Sequence, residues 1–313
     1  MEPRANGTHL DLGTALSWKY LFSDLADPRT SQWPLMSDPI PLLSLLAFYN
    51  YFSQKLGPAL MANRKPFSLY HTLIAYNLLQ VVLSCYLFYQ ASRLAWLRDY
   101  SWLCQPVDYS TTPRALEIAD ACYLYFASKL TELLDTVFFV MRKKDRQVSF
   151  LHLYHHTVMP IVSWGCVKYM PGGHGTFIGF VNSFVHIPMY MYYLLSAMGY
   201  HDLWWKPYIT RLQLAQFCAT FIHSSQLCFR DCGFPRFTLI FTLPNSVFFY
   251  FLFQDFYGKA YSGKACSAAP APKPLDESNN NDKQPKLVLG GAKELVPQAE
   301  CQESWTSPKA KCD

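Results

Sequence analysis

Charge is scarce in this 313-residue chain: Asp, Glu, Lys and Arg make up 16% of it, against about 25% in ordinary soluble domains. The little there is lies unevenly, thin from Trp33 to Gly258 and much denser from Lys259 onward. One uniform soluble domain is not built that way; a greasy body with a polar tail is. Cysteine is also sparse. Ten residues are too few for a disulfide scaffold, and no CxxC pair is present to seat a zinc ion. A net charge of +5, spread over loops and tail, leaves no footprint for nucleic acid. The first 38 residues are polar and lack the apolar core of a cleavable signal, so none is expected.

What the chain does have is long apolar runs. A membrane-spanning helix needs about 20 mostly apolar residues, and seven stretches qualify: 39–60, 69–91, 116–141, 149–169, 175–198, 207–229 and 237–257. The second, fourth and fifth carry no acid, Lys or Arg between their polar flanks. Trp96, Trp102, Trp164, Trp204, Trp205 and Tyr257 crowd the ends, where amphipathic rings sit at headgroup level. The pattern predicts an all-α polytopic membrane protein of seven spans. Its parts are a polar arm (1–38), a seven-span body (39–258) and a tail (259–313). The tail, rich in Pro, Asn, Lys and Ala, cannot bury a core and is expected to be disordered.

Seven spans put the termini on opposite sides of the bilayer. Basic residues divide almost evenly between the two sets of loops, and only the dense Arg142–Arg146 run (RKKDR) favours the cytosol for its side. The one N-x-[ST] sequon, at Asn6, is usable only in a lumen. Lys309 and Lys311, third and fifth from the end, are similar to the dilysine signal that returns membrane proteins to the endoplasmic reticulum from the cytosolic side. Both point to a lumenal N-terminus and a cytosolic C-terminus. Cys104 and Cys232 then both face the oxidising lumen and are candidates to pair, with Cys228 as a competing partner.

Several residues contradict their apolar surroundings. In the third span, Lys129, Glu132 and Asp135 are ionisable at membrane depth, which costs several kcal/mol unless they pair or face a wet cavity. At 100° per residue they share one helix face with Thr136. A purely structural ion-pair cluster is the competing explanation. The fourth span opens with Gln147 and then His152, His155 and His156, whose spacing puts three imidazoles on one face. Neutral imidazoles ligate metals, and an HxxHH box occurs in membrane di-iron enzymes. Those need about eight histidines in three boxes, however, and this chain has nine in all with no second box. The alternative chemistry, imidazole as nucleophile and acid/base, needs no metal.

The fifth span repeats Asn182, His186 and Tyr190 along one stripe, with Tyr193 following and Pro188 placed to bend the helix. Gln213 and Gln216 make a weaker polar stripe on the sixth. Arg142, Lys143, Lys144 and Lys206 sit where an anionic, phosphate-bearing ligand would approach the cytosolic mouth. His223 looks like packing, and His174 and His201 are loop residues.

The motifs KLTELLDT, QVSFLHLYHH, NSFVHIPMYMYY and TRLQLAQF, on successive spans with VDYS before the first, resemble the fatty-acid elongase (ELO) family of the endoplasmic reticulum. QVSFLH and LDTVFF look like its very-long-chain and polyunsaturated branch. The resemblance covers about Trp33 to Tyr257. It implies seven helices enclosing an acyl-chain tunnel, and a 3-ketoacyl-CoA synthase that condenses acyl-CoA with malonyl-CoA and releases CoA and CO2. It also implies an acyl-imidazole on the HxxHH box, taken to be His155. His152 and His156 would orient it or move its proton, and His186, Asn182 and Lys129 would stabilise developing oxyanions. Glu132 and Asp135 would fix tautomers and neutralise Lys129. Thr136, Gln147, Tyr190, Tyr193, Gln213 and Gln216 would line the substrate path, with Arg142, Lys143, Lys144 and Lys206 on the CoA phosphates. No metal or cofactor is expected, since both CoA thioesters are substrates. Expected partners are the bilayer, those thioesters and the other elongation enzymes, with a homo-oligomer left open. A metal-dependent membrane fatty-acid oxidoreductase is the second reading, and a seven-span receptor or transporter the third.

Overall fold

A computed structural model describes residues 17–200 and 202–261. Asn6, Lys309, Lys311 and His201, and with them the far tail, lie outside the described residues. The chain divides into two compact units, Met1–Phe256 and Tyr257–Asp313.

Among the described residues the regular structure is all helical, with no strand, and its long elements fall into seven helical runs joined by turns and loops. The first joins α1 (Ile40–Tyr51) through a π-turn at Phe52–Leu56 to α2 (Gly57–Met61). The second is α3 (Tyr70–Ala91), extended by a π-turn to Trp96. Then come α4 (Pro113–Thr131) with α5 (Leu133–Met141), α6 (Phe150–Tyr169), α7 (Thr176–Ala197), α8 (Lys206–Ser225) and α9 (Leu239–Tyr261). Two helices, Tyr70–Trp96 and Arg236–Tyr261, are long and apolar enough to cross a membrane by length and composition alone. Their outward faces fit that environment: Leu79, Val82, Ile240 and Phe251 are large, apolar and exposed.

Local chemistry sets the helix starts. Pro113 occupies the first turn of α4, where its missing N–H costs nothing, and the Thr112 side chain accepts from Ala115 N at 3.3 Å. Ser149 caps α6 in the same way, accepting from His152 N at 3.3 Å. That cap fixes where the histidine face begins.

The third run departs from the single helix expected over 116–141. It starts at Pro113 and breaks at Glu132. Asp135 N turns back to Glu132 O at 3.1 Å, a tightened 3₁₀-type bond. The Thr131 carbonyl accepts instead from the Tyr76 hydroxyl at 3.3 Å, and the Thr131 side chain from Gln80 at 2.9 Å. Polar groups on α3 thus hold the break open at the residue that carries the buried acid.

α3 packs along α7, α4 against α6, and α8 beside α7. The largest buried cluster joins Met36, Leu42, Leu46 and Tyr49 to Phe126, Leu133, Trp164 and Val167. The described end of the N-terminal arm is fastened to the last turn of α6. Asp27 N donates to Lys168 O at 2.8 Å, Thr30 Oγ1 to Val167 O at 2.9 Å and Trp164 Nε1 to Leu35 O at 2.7 Å. Lys168 itself is 1% exposed and donates to Met36 O at 2.6 Å and Ser37 O at 3.3 Å. At the same end Cys104 and Cys232 form a disulfide across 128 residues of chain, and Cys228 is a free, exposed thiol.

Lys168→Met keeps the apolar stem and removes the donor, which strands the buried Met36 carbonyl. It should destabilise the protein by about 2 kcal/mol, read as a lower Tm in detergent. An unchanged Tm would show that the clamp contributes nothing.

Candidate active site

The break in the third run delivers Glu132 into the bundle, where one oxygen serves two partners. Lys129 Nζ donates to Glu132 Oε1 at 2.6 Å, and His186 Nδ1 lies 3.3 Å from the same oxygen. Lys129, Glu132 and His186 are all buried, at 2%, 3% and 6% exposure. Asn182, one turn before His186 on α7, closes the circle. Its Oδ1 accepts from Lys129 Nζ at 2.9 Å and from the Tyr125 hydroxyl at 3.0 Å, while Nδ2 meets His186 Nε2 at 3.1 Å.

This network assigns its own protons. Lys129 and Tyr125 are both donors, so the Asn182 oxygen must face them and its NH2 must face His186. His186 Nε2 is therefore an acceptor, and the imidazole proton sits on Nδ1, toward Glu132. A carboxylate holding one ring nitrogen so that the other keeps its lone pair is the arrangement that orients catalytic histidines.

The three imidazoles of α6 lie together. The His152 and His156 ring centroids are 4.1 Å apart, and those of His155 and His156 are 5.2 Å apart. His155 faces a cavity of about 60 Å³ that Asn182 and Gln216 also line, walled by Val158, Met159, Ile178, Phe217, Phe241 and Phe249. Asn245 of α9 lines it too, and accepts from the Tyr154 hydroxyl at 3.0 Å. His155 and Asn182 thus border one apolar space, and His186 lies behind it, bonded to the Asn182 amide.

The remaining residues are placed less uniformly. Asp135 does not reach Lys129; its Oδ2 accepts from the Tyr190 hydroxyl at 3.0 Å. Thr136, grouped above with the substrate path, is wholly buried and its hydroxyl is taken by Tyr49 and His152 at 2.6 and 2.7 Å. Gln213 donates to Met189 Sδ at 3.5 Å. Tyr193 is exposed, its ring 5.8 Å from that of Tyr190. Gln147 is exposed on a 3₁₀ turn after Arg142, Lys143 and Lys144. Lys143 donates to Ala62 O at 3.2 Å, and Lys206 is half-buried with its ammonium 5.6 Å from the Tyr192 ring centroid. His174 and His223 stack at 3.9 Å but neither borders the cavity. Among the described residues, no group of three or more His, Cys, Asp or Glu side chains is arranged to hold a metal ion.

Sequence reasoning missed Tyr49, Tyr76, Tyr125 and Asn245. The tyrosines sit on apolar faces and read as packing; only their hydroxyls, invisible to periodicity, give them a part.

Glu132→Gln removes the counter-charge of a buried ammonium and should cost about 3–5 kcal/mol. Adding Lys129→Met should recover much of that loss, because no unpaired charge remains. Thermal melts of the single and double variants decide it; equal Tm values for both would show that the pair is not coupled.

The chain's similarity to known proteins spans these residues. Residues 34–269 match the family model described as ELO: GNS1/SUR4 family. The chain is 49% identical over 248 residues to very long chain fatty acid elongase 7 of Drosophila melanogaster, covering 78% of this chain and 75% of that one. It is 44% identical over 264 residues to very long chain fatty acid elongase 7 of Rattus norvegicus, covering 82% and 92%. With very long chain fatty acid elongase 1 of Homo sapiens it shares 44% over 242 residues, 76% and 87% of the two chains. A match of this extent, running through every motif that builds the cavity and the Glu132 network, makes the chain a member of the ELO (GNS1/SUR4) family of membrane proteins.

Proposed function

We propose that the protein is a very-long-chain fatty acid elongase acting as a 3-ketoacyl-CoA synthase. The observation that carries this reading is a cavity bordered by both His155 and Asn182, whose amide is bonded to the Glu132-held His186. A thioester is a soft acyl donor, and a neutral imidazole can displace its thiol. His155 attacks the acyl-CoA carbonyl, the C–S bond breaks, and the imidazole proton passes to the departing CoA thiolate. Malonyl-CoA then loses its carboxylate as CO2, and the enolate so formed attacks the acyl carbon. The C–N bond breaks, the imidazole regains a proton from water, and 3-ketoacyl-CoA leaves.

The surrounding groups suit these steps. Asn182 and Lys129 supply donors near the developing oxyanions, preorganised before substrate arrives, while His186, its Nδ1 proton held by Glu132 and its Nε2 accepting from Asn182, orients that amide and donates nothing to the substrate. Glu132 holds the His186 tautomer and balances Lys129, and Asp135 stands behind Tyr190. His156 packs His155 in place. Gln216 presents a buried amide to the cavity, and Tyr193, Gln213 and Gln147 would serve the substrate path outside it. Arg142, Lys143, Lys144 and Lys206 meet the CoA phosphates.

In this reading the seven helical runs all span the endoplasmic-reticulum membrane, with the N-terminus lumenal and the C-terminus cytosolic. The Cys104–Cys232 disulfide supports that orientation, because it belongs on the oxidising side. Both CoA thioesters are substrates, no cofactor is required, and the other elongation enzymes are the natural partners.

Incubation with acyl-CoA alone should leave an acyl mass increment on the peptide bearing His155, and malonyl-CoA should discharge it. His155→Ala should lose the increment and at least about a thousandfold in turnover. Full turnover by the folded variant would end the covalent scheme.

A further inference from the structure

The first helical run contributes a residue that neither the motifs nor the proposed steps use. Tyr49 lies on the buried stripe Leu42, Leu46, Tyr49, Ser53, at 5% exposure. Its hydroxyl is 2.6 Å from Thr136 Oγ1, and Thr136 Oγ1 is 2.7 Å from His152 Nε2. Three helical runs thus meet in one chain of two short hydrogen bonds, ending on the first imidazole of the HxxHH box.

The direction of that chain is fixed by its outer end. The Tyr49 hydroxyl has no other hydrogen-bond partner among the described residues, and so only one place to send its proton. If Thr136 donated to Tyr49, the phenol proton would be buried with no acceptor, a full desolvation penalty. Tyr49 therefore donates to Thr136. The Thr136 hydroxyl, already accepting there, donates in turn to His152 Nε2. His152 Nε2 is then an acceptor, and the ring's proton resides on Nδ1.

We infer that Tyr49 and Thr136 are positioning residues that lock His152 as its neutral Nδ1–H tautomer, so that it serves the site as a hydrogen-bond donor and not as a base. The relay cannot carry a proton away from His152, because it ends at a buried phenol with no acceptor beyond it. Of the two roles open to His152, orienting its neighbours or shuttling a proton through Nε2, the geometry leaves the first. His152 packs at 4.1 Å on His156, which packs at 5.2 Å on His155, so the locked ring also fixes the stack behind the reacting imidazole. Thr136 is thereby taken off the substrate path. The catalytic consequence rests on the condensing reaction proposed above; the tautomer does not.

The test has two readouts on purified, folded protein. With ¹⁵N-labelled histidine, the His152 signals are identified by their loss in His152→Ala. Nε2 should report as an unprotonated nitrogen in the wild type and in Thr136→Ser, and as a mixture of tautomers in Tyr49→Phe and Thr136→Val. In condensation assays with acyl-CoA and malonyl-CoA, Tyr49→Phe and Thr136→Val should lose about tenfold in kcat with KM nearly unchanged, and Thr136→Ser should keep it. Simple packing would instead lower Tm without moving the tautomer. A protonated Nε2 in the wild type, or a Tyr49→Phe variant with wild-type kcat and tautomer, overturns the inference. Should Thr136→Val not fold, Tyr49→Phe decides alone. Absence of any condensation in the wild type would sink the proposed function, while the NMR result would still judge the relay.

Discussion

The Lys129–Glu132 ion pair is the constraint on which the rest of the site depends. Two opposite charges buried among apolar helices are costly to desolvate, and their attraction offsets that cost only where the geometry is good and the remaining valences are filled. Here they are filled: the ammonium also reaches Asn182, and the carboxylate also reaches His186. Each added bond fixes a neighbour in turn. The pair orients the Asn182 amide, the amide sets the acceptor face of His186, and the carboxylate sets its donor face. A network with every member satisfied can be rigid without being catalytic. This one borders a cavity that also holds His155, and that adjacency gives the rigidity a use.

A second hydrogen-bond chain runs from Tyr49 through Thr136 to His152. α4 and α5 present Lys129, Glu132, Asp135 and Thr136 to different neighbours. Asp135 goes to Tyr190, Thr136 to Tyr49 and His152, and Glu132 to Lys129 and His186. The site is assembled by splitting a polar stripe, with α3 holding the split through Tyr76 and Gln80.

Hydropathy alone located the helical runs closely, because the apolar stretches are long and their polar flanks abrupt. The histidine face and the Asn182–His186 stripe were equally legible, since three imidazoles at i, i+3 and i+4 share a face on any regular helix. The break at Glu132 was not, because it arises from a carbonyl claimed by a tyrosine on another helix, and no local pattern encodes that. Tyr49 and Tyr125 were hidden for a related reason. An aromatic residue on an apolar stripe looks like packing until the partner of its hydroxyl is known. The pairing of Thr136 with His152 was likewise out of reach, since it joins residues of two different spans.

The most direct measurement is of product. Purified protein given labelled malonyl-CoA and a series of long-chain acyl-CoAs, with no reductant, should release CO2 and accumulate labelled 3-ketoacyl-CoA in equal amounts. CO2 release without a ketoacyl product, or no reaction with any acyl-CoA by protein shown to be folded, would contradict the account of this site as a condensing centre.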